Sequence, residues 1–164
     1  MNTLTHRALT VTAAGLLTVA LGTAGAAGAA DVGPAAKTDA LSPARTLIQQ
    51  KNWGAAIDEL KRVNDTGSAD WNNLMGYSLR KGPAPDYAAA EKFYDTALRI
   101  DPKHRGALEY SGELYLMTGD LPKAEQRLAT LDKVCTLPCE EYTDLKKAVA
   151  RYKANGNKYV AEAW

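Results

Sequence analysis

Apolar positions recur along this chain in sets of four. Trp53, Ala56, Leu60 and Val63 are matched 34 residues later by Tyr87, Ala90, Tyr94 and Ala97, and 34 later again by Leu121, Ala124, Leu128 and Leu131. Within each set the steps are three, four and three, which is one face of an α-helix. Each column also keeps its chemical character, so three helices should bury the same face in the same way. Stop and start signals agree. Asp86 and Asp120 stand where N-caps belong, Pro122 falls in a first turn, and Asp101 is pushed out of the helical region by Pro102.

A second helical pattern precedes each of these helices. Trp71, Leu74, Met75 and Leu79 carry it in the middle copy; Leu108, Gly112, Tyr115 and Leu116 carry it in the third. The first copy has only PARTLIQQ, with Ser42 read as its cap and Pro43 in its first turn. The unit is therefore helix, turn, helix. Glycine inside a helix costs about 0.5–1 kcal/mol against alanine, so Gly76 and Gly112 imply a neighbour at close range.

These residues resemble the tetratricopeptide repeat family, whose pattern is W-x2-L-G-x2-Y, then A-x3-F, then proline, at a period of 34. The middle copy supplies Trp71, Leu74, Gly76, Ala90, Tyr94 and Pro102, with its glycine one residue late and the loop KGPAPDY two residues longer. The third supplies Gly112, Tyr115, Gly119 and Ala124, with Leu108 replacing the tryptophan, and the first is degenerate, with Ala44 in place of glycine. The resemblance implies an all-α, helix-turn-helix solenoid over 41–154, divided as 41–68, 69–102 and 103–136 with a capping helix over 138–154. Gly76 and Gly112 are expected where the paired helices of a unit pack, facing Ala90 and Ala124. Trp71, Leu74 and Tyr94 are expected in the shared apolar layer.

An array of this kind binds peptides along the first helix of each unit. By the family's pattern around its packing glycine, the groove residues are Asn73, Tyr77 and Arg80, then Glu109, Glu113 and Leu116, with Arg45 from the weak first unit. Asn73 and Arg80 then suit a peptide carboxylate, although the two glutamates leave a basic clamp incomplete.

The ends read differently. Tyr142, Leu145, Val149 and Tyr152 form one helical stripe, acids open that helix, bases crowd its last turns, and Asn155 and Gly156 stop it. Residues 1–30 have the layout of a secretory signal peptide: a polar start ending in His6 and Arg7, an uncharged run, and small residues before Asp31. The strongly apolar part, about 14 residues, is short of the ~20 that span a bilayer, so no stable membrane insertion is expected after cleavage. Residues 31–40 read as a flexible lead. The tail over 155–164 ends in KYVAEAW, which could be loose, pack on the cap or enter a neighbour's groove.

Loss of Arg7 with the signal leaves 20 − 1 = 19 basic residues against 19 acidic ones. A neutral domain has no general field for nucleic acid or anionic lipid. Cys135 and Cys139, written CTLPC, read as a bridge pinning the turn before the cap, with free thiols or redox exchange as the alternatives. His104 reads as a solvated turn residue, and no nucleophile–base pair, metal motif or phosphate loop is present. The expectation is an exported, periplasmic, non-catalytic module without cofactor or metal that binds a protein or peptide. The alternatives are a thiol-linked assembly factor for cysteine-bearing clients, and a unit that self-assembles through its tail.

Overall fold

Five of the described helices open on a side chain that accepts a hydrogen bond from the backbone N–H three residues on. The acceptors are Asn52, Ser68, Asp86, His104 and Asp120. Each satisfies one of the donors that a helix N-terminus leaves unpaired. A computed structural model describes residues 39–137 and 139–160. Among them seven helices run in chain order: α1 Ser42–Gln49, α2 Trp53–Val63, α3 Ala69–Lys81, α4 Tyr87–Ile100, α5 Arg105–Thr118, α6 Leu121–Val134 and α7 Glu140–Ala154. The expected signal segment, the lead up to Lys37 and Thr38, and the last four residues of the tail lie outside the described residues.

The fold is an all-α solenoid of helical hairpins. Helix α3 packs on α4 and α5 on α6; α2 joins α1 to α3, and α7 closes the array against α5 and α6. The alanine column lies within the helix seams, since Ala56, Ala90 and Ala124 are all fully buried. Gly119, at φ 85°, ends α5 in the left-handed conformation that glycine adopts without a Cβ clash. Helices α4 and α6 are linked by Lys123–Glu91 and Arg127–Asp95 ion pairs. Asp101 is extended before Pro102, as its sequence demands.

Three core layers succeed one another. Leu41, Ala44, Leu60, Trp71, Leu74 and Met75 form the first. Ala90, Tyr94, Ala97, Ala107 and Leu114 form the second. The third joins Leu108, Tyr115, Leu116 and Leu131 to Leu145, Val149 and Tyr152 of α7. Trp71 is anchored by its indole N–H, which donates to the Leu60 carbonyl at 2.7 Å.

Four local expectations are corrected. Tyr94 does not share the layer of Trp71 and Leu74; Phe93, one residue earlier and so about 100° around the helix, meets Trp71 edge-on at 5.9 Å. Gly76 faces Tyr94 rather than Ala90, for an added Cβ would lie 2.8 Å from its ring. Gly112 faces neither Ala124 nor its own hairpin: the nearest side chain is Leu145 of the capping helix. Ser42 is the first helical residue, and Leu41 occupies the cap position without a side-chain acceptor.

Candidate functional site

The first helices α3 and α5, with α7 beside them, present the wall on which the groove residues were expected. Tyr77 lies between the Trp53 ring at 5.9 Å and the Tyr110 ring at 4.5 Å. One turn on, Arg80 lies over both tyrosines, its guanidinium carbon 5.5 Å from the Tyr77 centroid and 5.6 Å from that of Tyr110. Its Nη2 donates to Glu113 Oε2 at 2.7 Å, and its side chain is only 2% exposed. Burial opposes the charge, but the oxygens of Tyr94 and Glu113 outweigh it, and Arg80 stays protonated.

Arg80 is therefore not a free clamp for a peptide carboxylate, which corrects the reading of Asn73 and Arg80 as a pair. Its charge is already matched by Glu113 and its faces are already stacked. Leu116 is likewise corrected: at 1% exposure it belongs to the third core layer, because the helix turns that position toward α7. Asn73 is buried against α5, its Nδ2 so close to Gly106 that a Cβ there would lie 3.1 Å away. Its Oδ1 is buried without a hydrogen-bond partner. Arg45 faces the outside, paired with Asp39 and Asp70.

Glu109 and Glu113 lie one turn apart on α5 and differ in their surroundings. Glu113 holds Arg80, whereas Glu109, 9% exposed, has no hydrogen bond or ion pair among the described residues. Burial, reinforced by the charges of Glu113, Asp144 and Glu141, pushes its pKa up to about 8. Burial also raises Tyr110, with Glu109 adding to it.

Several residues of this wall were not foreseen. Trp53 was assigned to the repeat columns alone, Tyr110 falls two residues before Gly112 and so outside the family's spacing rule, and Asp144 and Glu141 come from the cap. His104 is also corrected. It is the N-cap of α5, its Nδ1 accepting from the Ala107 N–H at 3.0 Å while Nε2 meets Asp70 at 2.9 Å. Nε2 therefore carries the proton. Burial works against the charged form of Asp70, yet His104 and Arg45 together hold its pKa below the ordinary value.

The tail, as far as Val160, lies back on this same end. Tyr159 and Val160 help to wall a cavity of about 50 Å³ with Arg80, Glu113, Met117 and Tyr152. Cys135 and Cys139 have their sulfurs at bonding distance, 1.99 Å, and close the turn between α6 and α7. Among the described residues no helix is long and apolar enough to cross a membrane, and no three acidic, histidine or cysteine side chains are close enough to hold a metal ion.

The tetratricopeptide repeat family matches residues 84–134, which span α4, α5 and α6. No curated protein sequence matches the chain. Among solved structures, the type III secretion translocator chaperone SycD of Yersinia enterocolitica is similar in fold. Its TM-score is 0.61 at 19% identity, over 71% of this chain and 82% of that one. The family match and the shared fold both support the repeat architecture read from the period of 34.

Proposed function

We propose that this chain is an exported, periplasmic protein–protein interaction module whose concave face, built by α3, α5 and α7, binds a peptide or a segment of a partner protein. The observation that carries this reading is the aromatic and charged wall of Trp53, Tyr77, Tyr110, Arg80 and Glu113, held rigid by its own stacking and ion pairing. Rigid aromatic side chains beside fixed polar groups are what a peptide needs, since they add contact area at small entropic cost. Export is supported by the signal-like layout of residues 1–30. The likeness to a secretion chaperone is one of fold, and an adaptor or assembly role follows from the binding face itself. Cys135 and Cys139 lie in the α6–α7 turn, and we assign them a structural part.

The test is capture of partners from a periplasmic extract by the purified protein and by a Tyr77→Ala, Met117→Ala variant whose melting curve matches it. Both positions are half-buried on the wall, so the change trims the face without removing the Arg80–Glu113 pair. A partner retained by the protein and lost by the variant supports the groove. Equal retention by both moves binding to another face.

A further inference from the structure

Four carboxylates meet where α5 faces α7, and three of them have a basic partner. Glu113 holds Arg80 at 2.7 Å, Glu141 meets Arg105 at 3.6 Å, and Asp144 meets Lys147 at 3.2 Å. Among the described residues Glu109 alone has none, although it is nine-tenths buried and feels the other three. When Glu109 ionises, it adds a buried negative charge with no basic partner among the described residues. A buried carboxylate is costly unless it is paired, so this place attracts one positive group.

We propose that the α5–α7 end of the concave face binds the basic side chain, arginine or lysine, of a peptide partner, with Glu109 as the anchoring carboxylate. This rests on the peptide-binding reading above and supplies the chemistry of its ligand. A second observation points the same way: Asn73 on α3, whose Nδ2 lies beside Gly106, one turn from Glu109, also carries a buried Oδ1 with no donor among the described residues. A guanidinium or ammonium group brings several N–H donors and one charge, whereas a carboxylate ligand would add a further negative group. Among the described residues no three carboxylates converge closely enough to ligate a metal ion. The tyrosine faces of Tyr77 and Tyr110 are taken by Arg80, so the incoming cation is held by oxygen atoms.

The groups that set the charge state of Glu109 are Glu113 on its own helix, Glu141 and Asp144 from α7, and Arg80 from α3, the last opposing the others. Pairing with a cation releases its proton, so binding should tighten as pH rises from 6 to 9.

The experiment uses acetylated and amidated fluorescent hexapeptide pools with neutral residues at all positions but one, which is fixed as Arg, Lys, Ala, Leu or Glu. Anisotropy with the purified protein at pH 8.5 should show the Arg and Lys pools binding about tenfold tighter than the Ala pool, as one charge-assisted pair allows. In a folded Glu109→Gln variant that advantage should fall below about threefold, and its pH dependence should vanish. Retention of the preference in Glu109→Gln places the cation elsewhere and overturns the assignment. Binding of Ala or Leu pools as tightly as Arg overturns it too while leaving a peptide groove in place, and absence of binding by every pool removes both readings.

Discussion

Gly112 and Leu145 are in van der Waals contact across the α5–α7 seam, so close that a Cβ on Gly112 would lie 2.5 Å from Leu145 Cδ2. The glycine of the third unit therefore serves the capping helix, not its own hairpin. Leu145 is fully buried in the third core layer, so it can give way only by displacing its neighbours. Replacing Gly112 by alanine should lower stability by about 1–3 kcal/mol through overpacking, which exceeds the ~1 kcal/mol that alanine adds to a helix. Gly54 is the control: nothing lies within 4 Å of its added Cβ, and Gly54→Ala should gain roughly 0.5 kcal/mol. Urea melts of the two variants check the opposite signs.

The Arg80–Glu113 pair should be asymmetric to substitution. Glu113→Leu strands a guanidinium whose side chain is 2% exposed, while Arg80→Met leaves a carboxylate that is 23% exposed and can keep some water. The first should cost about 3 kcal/mol and the second distinctly less. The double variant Arg80→Met, Glu113→Leu should recover most of the loss. Thermal melts of the three variants measure this, and equal losses from both single changes would contradict it.

The contrast between what periodicity foretold and what it missed follows from the range of each interaction. Alanine at a fixed period of 34 can only mean a close helix seam, and Ala56, Ala90 and Ala124 are all fully buried there. The caps Asp86 and Asp120 act within three residues, so they too were readable. Gly112 announced a near neighbour without naming it, because Leu145 arrives from an element outside the repeat. Arg80 looked like a free groove cation for the same reason: its partner Glu113 belongs to the next unit. Tyr94 and Phe93 both fit the column within one residue, and only the packing decided which ring met Trp71. His104 was misread because imidazole is an uncommon cap, and its contact with Asp70 spans a whole repeat.

The disulfide should matter to stability and not to binding. Cys135 ends α6 and Cys139 begins α7, so the bridge holds a short turn. A ring this small restricts the unfolded chain less than the ~3 kcal/mol of a 15-residue loop, and the Cys135→Ser, Cys139→Ser variant should lose about 1–2 kcal/mol. Reductant should lower the melting temperature of the parent protein and leave the variant unchanged. Peptide affinity should be equal in both. A change in the thiol oxidation of a captured client would instead favour thiol chemistry.

Glu109 should make the protein less stable as pH rises. In the folded chain it keeps its proton up to about 8, whereas unfolded it releases it near 4.5. Between these values the unfolded state binds fewer protons, so its contribution is fully present below pH 4.5, declines up to about 8 and is flat beyond. Each unit of difference is worth about 1.4 kcal/mol at most, and with some water reaching the group the net effect should be roughly 1–3 kcal/mol. Glu109→Gln removes this titration. The variant should match the parent protein near pH 4 and exceed it at pH 8.5, measured by urea unfolding at fixed ionic strength. A parent protein whose stability does not fall in that window relative to Glu109→Gln would mean that the carboxylate is solvated or already paired. A stability gain at pH 8.5 in the variant that also loses the arginine preference would tie both effects to one unpaired carboxylate.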